Sequence, residues 1–260
     1  MTKRQAVGRA SLAGCAAVAL AAVLARRRPT AGAAVAAAAA AAAWGAFRPS
    51  SPLFGPTLRS GPRGRPRAAL TFDDGPGPST PDVLDALAGE GVRATFFVLG
   101  RQAERHPDLV RRIAAEGHEI GNHGYDHGIL VFRGDAHVAD QLSRTESAVH
   151  RAAGEGTMRP LFRAPHGYRG PATARAAVRR GYRMASWTRG VFDSAEPGAD
   201  VIAERATRAL VPGAVILLHD ADGWAPERVR GQTAAAIPSI CRAARERGIE
   251  LVPLGELVDS

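Results

Sequence analysis

From residue 68 onward the chain alternates short apolar runs with amphipathic stretches, and that alternation constrains its fold more than any other feature. Runs at 68–72, 94–99, 119–121, 161–163, 182–187, 214–218 and 250–252 read as strands. Between them, 80–88, 107–115, 136–153, 172–180, 199–210 and 226–247 read as helices. The first helix places Val83, Leu84 and Leu87 on one face, behind Ser79 or Thr80 as cap and Pro81 in the first turn. The second carries Leu109, Val110 and Ile113 on one face and stops at Gly117. Strands that alternate with helices need crossover connections, which makes the sheet parallel. Seven such units fit a barrel better than a flat doubly wound sheet. The expected class is therefore α/β, a distorted (β/α) barrel of about seven strand–helix units. In either architecture functional residues gather just after the strands.

That rule selects a small set of residues. Asp73 and Asp74 follow the first strand, and His123 and His127 the third. Arg163, Pro165 and His166 sit at the end of the fourth, Asp193 lies a short loop beyond Trp187, and His219 and Asp220 follow 214–218. Adjacent strand residues point to opposite faces, so the two aspartates are expected to diverge. Like charges that close perturb each other unless a cation or proton separates them. Taken alone, Asp-Asp-Gly-Pro is equally well a turn. His123 and His127 are four residues apart, a spacing that on a helical turn faces both imidazoles the same way. Two His and one carboxylate are a common zinc set with a position left open for water, and Asp74 can supply the carboxylate. A polar turn is the plainer reading of the His pair alone; partners at other strand tips weigh against it.

Four stretches, in order, then resemble one family. They are Thr71-Phe72-Asp73-Asp74-Gly75, Gly117-His118-Glu119-Ile120-Gly121-Asn122-His123 running to His127, Phe162-Arg163-Ala164-Pro165-His166-Gly167, and Leu217-Leu218-His219-Asp220. Together with Thr95-Phe96-Phe97-Val98-Leu99-Gly100 they resemble the polysaccharide deacetylase (NodB-homology) family of carbohydrate esterases across 68–260. The resemblance implies a distorted barrel and a metal-dependent hydrolase that removes N- or O-acetyl groups from a glycan such as peptidoglycan or a chitin-like polymer. Its divalent ion is zinc first, with cobalt or nickel as alternatives. By position, Asp74, His123 and His127 would hold the metal, Asp73 would be the general base and His219 the general acid. Arg163 would orient Asp73, Asp193 would orient His219, Leu217 would line the acetyl pocket and the His166 backbone N–H would bind the oxyanion. Trp187 is divided between core packing and a wall of the pocket.

The residue chemistry agrees with those roles. Amide hydrolysis needs a polarised carbonyl, an activated water, a base and an acid, and this set contains a candidate for each. A Gly-x-Ser-x-Gly elbow for a serine hydrolase is missing from the sequence. Two departures from the family pattern fall on the groove: His166 stands where Tyr is usual, and Ser194 follows Asp193 where Trp is usual. His106, His118, Asp126, Asp220 and Asp222 read as turn, cap or strand-start residues, and Trp224 as a candidate sugar-stacking side chain. Rival functions are a deacylase or deformylase of a lipid-linked sugar, and a glycan-binding module with weak catalysis.

The N-terminal quarter differs in kind. Eleven of the 34 basic residues and none of the 25 acids fall in residues 1–67, so the remainder is slightly acidic despite a whole-chain charge of +9. That distribution argues against nucleic acid as a partner and for membrane-flanking charge. Apolar runs at 10–25 and 31–47 flank Arg26-Arg27-Arg28, each near the length that spans a bilayer. Two membrane helices, a signal anchor followed by an Ala-rich helix, and a cleaved signal peptide all fit, with membrane attachment favoured. Residues 1–48 are thus expected to be an anchor or signal region, 49–67 a Pro/Gly/Arg-rich linker and 68–260 the catalytic domain. The expected location is the cell membrane with the catalytic domain extracytoplasmic, or secretion after cleavage. Cys15 and Cys241 offer neither a disulfide framework nor zinc spacing, and no protein partner is expected.

Overall fold

The protein is described by a computed structural model over residues 29–259. The apolar run at 10–25, the arginine triplet and Cys15 lie outside the described residues. Helix α1 (Pro29–Phe47) is followed by β1 (Arg67–Asp73), α2 (Thr80–Glu90), β2 (Thr95–Val98), α3 (Gly100–Arg105) and α4 (Pro107–Ala115). Then come β3 (Glu119–Asn122), α5 (Asp135–Ala153), β4 (Met158–Phe162), a 3₁₀ turn (Pro165–Gly167), α6 (Pro171–Arg179) and β5 (Arg183–Met184). Finally β6 (Arg189–Gly190), a 3₁₀ turn (Asp193–Ala195), α7 (Ala199–Ala209), β7 (Val215–His219), α8 (Gly231–Glu246), β8 (Glu250–Leu251) and α9 (Leu254–Asp259) complete the chain.

The strands run in the order β5-β4-β3-β2-β1-β7-β6, all neighbours parallel, and β8 joins the start of β1. This is the expected α/β barrel, curled and open at one seam. β1 is buried almost throughout, as a parallel strand covered on both faces must be. Leu70 and Phe72 join Leu84, Leu87, Ile216 and Ile237 in the layer beneath the helices. Ala69 faces inward with Phe97, Leu161 and Val215.

Three local differences from the sequence reading matter. The expected strand 182–187 shortens to β5, and β6 starts only at Arg189; the two are consecutive in sequence but not paired, and this leaves the seam. Leu58 and Ser60 occupy it, bridging to Ala185 and Ala214. The Thr188 hydroxyl donates to the Arg59 carbonyl at 2.7 Å. The Pro-rich segment is therefore docked rather than free. Helices α3 and α9, six residues each, carry too few turns for a periodic apolar pattern. The last long helix begins at Gly231, not 226, because residues 222–230 form a loop beside the site.

Candidate active site

The aspartate pair does not diverge. Asp73 ends β1 facing inward, and Asp74 adopts φ 76°, a left-handed conformation that swings its carboxylate back to the same side. Both line one cleft of about 390 Å³ at the C-terminal ends of the strands. His127 and His166 also have positive φ, 60° each. Three non-glycine residues in that costly region at one cleft mark a site whose backbone is held by its surroundings.

His123 and His127 do not share a helical turn. They lie in the loop after β3, and the positive φ of His127 brings the rings together. Their Nε2 atoms stand 3.4 and 3.0 Å from Asp74 Oδ1. Asp74, His123 and His127 are all buried, with ligand atoms within 4.8 Å of one another. His123 Nδ1 lies 2.8 Å from the Arg163 carbonyl, so this nitrogen carries the proton and Nε2 keeps its lone pair for the cleft. Asp74 Oδ1, at which both rings aim, is buried and accepts no hydrogen bond. A buried carboxylate oxygen without a donor, facing two imidazole nitrogens, fits a cation. Burial alone would raise the Asp74 pKa, but the charge of His127 and His219 opposes it, and the carboxyl lies well below the ordinary carboxylate range.

Arg163 and Asp193 stand behind the cleft and do not line it. The fully buried Arg163 guanidinium donates to Asp73 at 2.7 Å, to the Thr71 hydroxyl at 2.9 Å and to the Ser186 carbonyl at 2.8 Å. It also lies over the Phe97 ring, 4.1 Å from its centroid. Burial draws the Arg163 pKa down, and the Asp73 charge opposes that. Asp193 faces His219, with Nδ1 2.9 Å from Oδ1. Burial works against the imidazolium, yet the Asp193 carboxylate outweighs it and raises His219 to about 9. Asp193 itself is lowered by His219 despite its burial.

Leu217, Trp187 and His166 complete the walls. The His166 ring stacks on Trp224, 5.4 Å between centroids and 19° between planes, and sits 4.4 Å from the His127 ring. Burial and the neighbouring imidazoles lower His166 to about 4, so it is neutral. The aromatic surface missing at Ser194 is thus matched by a His166–Trp224 pair on another wall. Asp126 serves its own loop, accepting from Gly128 N–H. Asp222 accepts from the N–H groups of Trp224 and Ala225 and pairs with Arg230 at 2.6 Å.

Sequence reasoning missed Gly223 and Thr233. The Gly223 N–H donates to Asp74 Oδ2 at 3.0 Å, and a Cβ there would collide with the His127 ring. The Thr233 hydroxyl donates to Asp193 Oδ2 at 2.9 Å. A Gly after Asp222 reads as a turn, and a Thr in the first turn of a helix carries no motif.

Comparison with known proteins agrees with this geometry. The profile described as polysaccharide deacetylase matches residues 60–185. A chitooligosaccharide deacetylase of Sinorhizobium fredii is 38% identical over 202 residues, covering 74% of this chain and 93% of the relative. A peptidoglycan N-acetylglucosamine deacetylase solved with 4-naphthalen-1-yl-N-oxidanyl-benzamide superposes with a TM-score of 0.71 at 32% identity, over 78% of this chain and 92% of the other. A family 4 carbohydrate-esterase pseudoenzyme from Bacillus anthracis gives 0.69 at 26% identity, over 76% and 67%. The chain belongs to the polysaccharide deacetylase family.

Proposed function

We propose that this protein hydrolyses the acetamide of N-acetylglucosamine units in an envelope glycan, peptidoglycan or a chitin-like oligosaccharide. Family membership alone does not decide activity, because one structural relative is described as a pseudoenzyme. The observation that carries the reading is the convergence of Asp73, Asp74, His123, His127 and His219 on one cleft.

Asp74, His123 and His127 would hold one divalent ion, zinc by the chemistry of the donor set. When bound, the ion polarises the acetyl carbonyl and lowers the pKa of water. Asp73, fixed by Arg163, takes the proton of the attacking water. The His166 N–H donates to the oxyanion. His219, kept protonated by Asp193, gives its proton to the departing amine. Leu217 and Trp187 enclose the acetyl methyl. Arg163 and Asp193 are positioning residues, since each acts through the group it holds. The Ala-rich helix supports attachment to a membrane, and the arginine triplet before it supports a catalytic domain outside the cytoplasm.

The test is acetate release from acetylated chitooligosaccharides and from peptidoglycan by the full chain, alongside bound-metal content. Asp73→Asn and His219→Ala serve as inactive controls. Metal bound without hydrolysis of either substrate would overturn the reading.

A further inference from the structure

Among the described residues, one helix is long and apolar enough to cross a membrane, over Thr30–Phe47, and little of it is buried. Its last turn does not swing free. Ala46 is buried, and its carbonyl accepts from the Arg169 N–H at 3.0 Å. Phe47 meets Tyr168 edge-on, 5.1 Å between centroids, and Phe132 at 6.0 Å. Pro49 then packs over Gly167: a Cβ at Gly167 would lie 2.6 Å from Pro49 and 2.7 Å from Trp187. The helix exit thus abuts the turn that carries His166.

The segment that follows offers no slack. A flexible stretch the length of residues 49–66 would wander roughly 20–25 Å. Here Ser51 is buried, Leu58 and Ser60 fill the barrel seam, and the Gly61 N–H donates to Gly213. Around the helix end the surface is apolar. Trp44, Phe47, Leu53 and Phe132 are exposed by 44 to 63%, and Ile129, three residues before Phe132 in the same loop, by 41%. Leu53 lies against Gly45, and Arg48 sits over the Trp44 ring at 5.2 Å. Aromatic rings with an arginine at the end of an apolar helix are the composition of a membrane–water interface. Ile129 and Phe132 belong to the loop directly after His127, so this rim and the cleft share one loop.

We propose that the catalytic domain seats directly on the bilayer through the rim of Trp44, Phe47, Ile129 and Phe132, holding the cleft at headgroup level. This rests on reading α1 as a membrane segment. Its occupant is a lipid surface, argued from continuity of the rim with the apolar helix. A cleft held there meets acetylated sugars presented at the membrane rather than deep in a wall.

The full chain carries an environment-sensitive fluorescent amino acid at position 132 or, on the opposite end of the barrel, at exposed Val211. It is reconstituted in phosphatidylethanolamine–phosphatidylglycerol vesicles with a headgroup-level nitroxide lipid. The expected result is co-flotation, with blue-shifted emission and severalfold stronger quenching at 132 than at 211. Ile129→Asp should reduce quenching at 132 without ending flotation; unchanged quenching counts against the rim. Co-flotation with position 132 as wet as 211 overturns the seat. Failure to float overturns it as well, by removing the anchor. Acetate release from a soluble acetylated oligosaccharide in the same preparation reads the deacetylase activity separately, so its failure does not touch the result.

Discussion

His219 and Asp193 are joined twice. The imidazole Nδ1 lies 2.9 Å from one carboxylate oxygen, and the other oxygen accepts the His219 backbone N–H at 2.8 Å. The carboxylate fixes the ring and the strand end that carries it, and a third bond from Thr233 holds the carboxylate. The imidazole is raised to about 9 and is charged at neutral pH.

The alkaline limb of the pH–rate profile should therefore lie near 9, where His219 loses its proton. Asp193→Asn should move that limb to lower pH and cut kcat by ~10²-fold or more, the scale of losing a positioned acid. A limb unmoved by the substitution would mean that another group sets it. Stability follows the same sign. His219 has a raised folded pKa, so its contribution is complete below the unfolded value of about 6.5 and fades as pH rises through about 9. The thermal midpoint should fall between neutral pH and mild alkali, and less so in Asp193→Asn.

Arg163 and Asp73 form a buried pair at 2.7 Å. Removing one partner leaves the other charged and unpaired, so Arg163→Met should cost roughly 3–5 kcal/mol in denaturant unfolding. Asp73→Asn should lower acetate release by ~10²–10⁴-fold while metal content is kept. The double variant should be less destabilised than the sum of the singles, with a coupling of about 0.5–3 kcal/mol. Strict additivity would mean that the two do not act as a pair.

Chelation tests the metal centre independently of catalysis. Dialysis against a strong chelator should lower the thermal midpoint of the parent, because an ion bound only to the folded state stabilises it by mass action. His123→Ala should start from the lower midpoint and respond little to chelator. An equal drop in both would place the ion elsewhere.

The barrel was legible because each strand and helix declares itself by local period, and the site because its residues cluster after strands. Side-chain direction was not. Alternation along β1 sends Asp73 and Asp74 apart, and only the left-handed φ of Asp74 reunites them. Helical spacing placed His123 and His127 side by side for the wrong reason, since a loop brings them together. Linker composition at 49–67 said nothing of the seam that Leu58 fills, because that vacancy arises from the β5–β6 break far along the chain. Gly223, which acts through its backbone N–H and belongs to no motif, left no mark at all.

Gly223 gives the sharpest test of how the centre is held. Its N–H donates to the Asp74 oxygen that turns away from the imidazoles, and its Cα faces the His127 ring so closely that no side chain fits. Gly223→Ala must displace either the His127 ring or the loop that supplies the N–H. Either shift disturbs the ligand set without emptying the core, and loss of outer partners of this kind costs about 10–100-fold in metal affinity. The expected outcome is weaker metal binding by competition titration, with the far-UV circular dichroism unchanged. Gly89→Ala is the matched control: it lies in the last turn of α2, nothing stands within 4 Å of its Cβ position, and it should bind metal as the parent does. If Gly223→Ala binds metal as the parent does, the close approach of Gly223 to His127 has no part in building the centre.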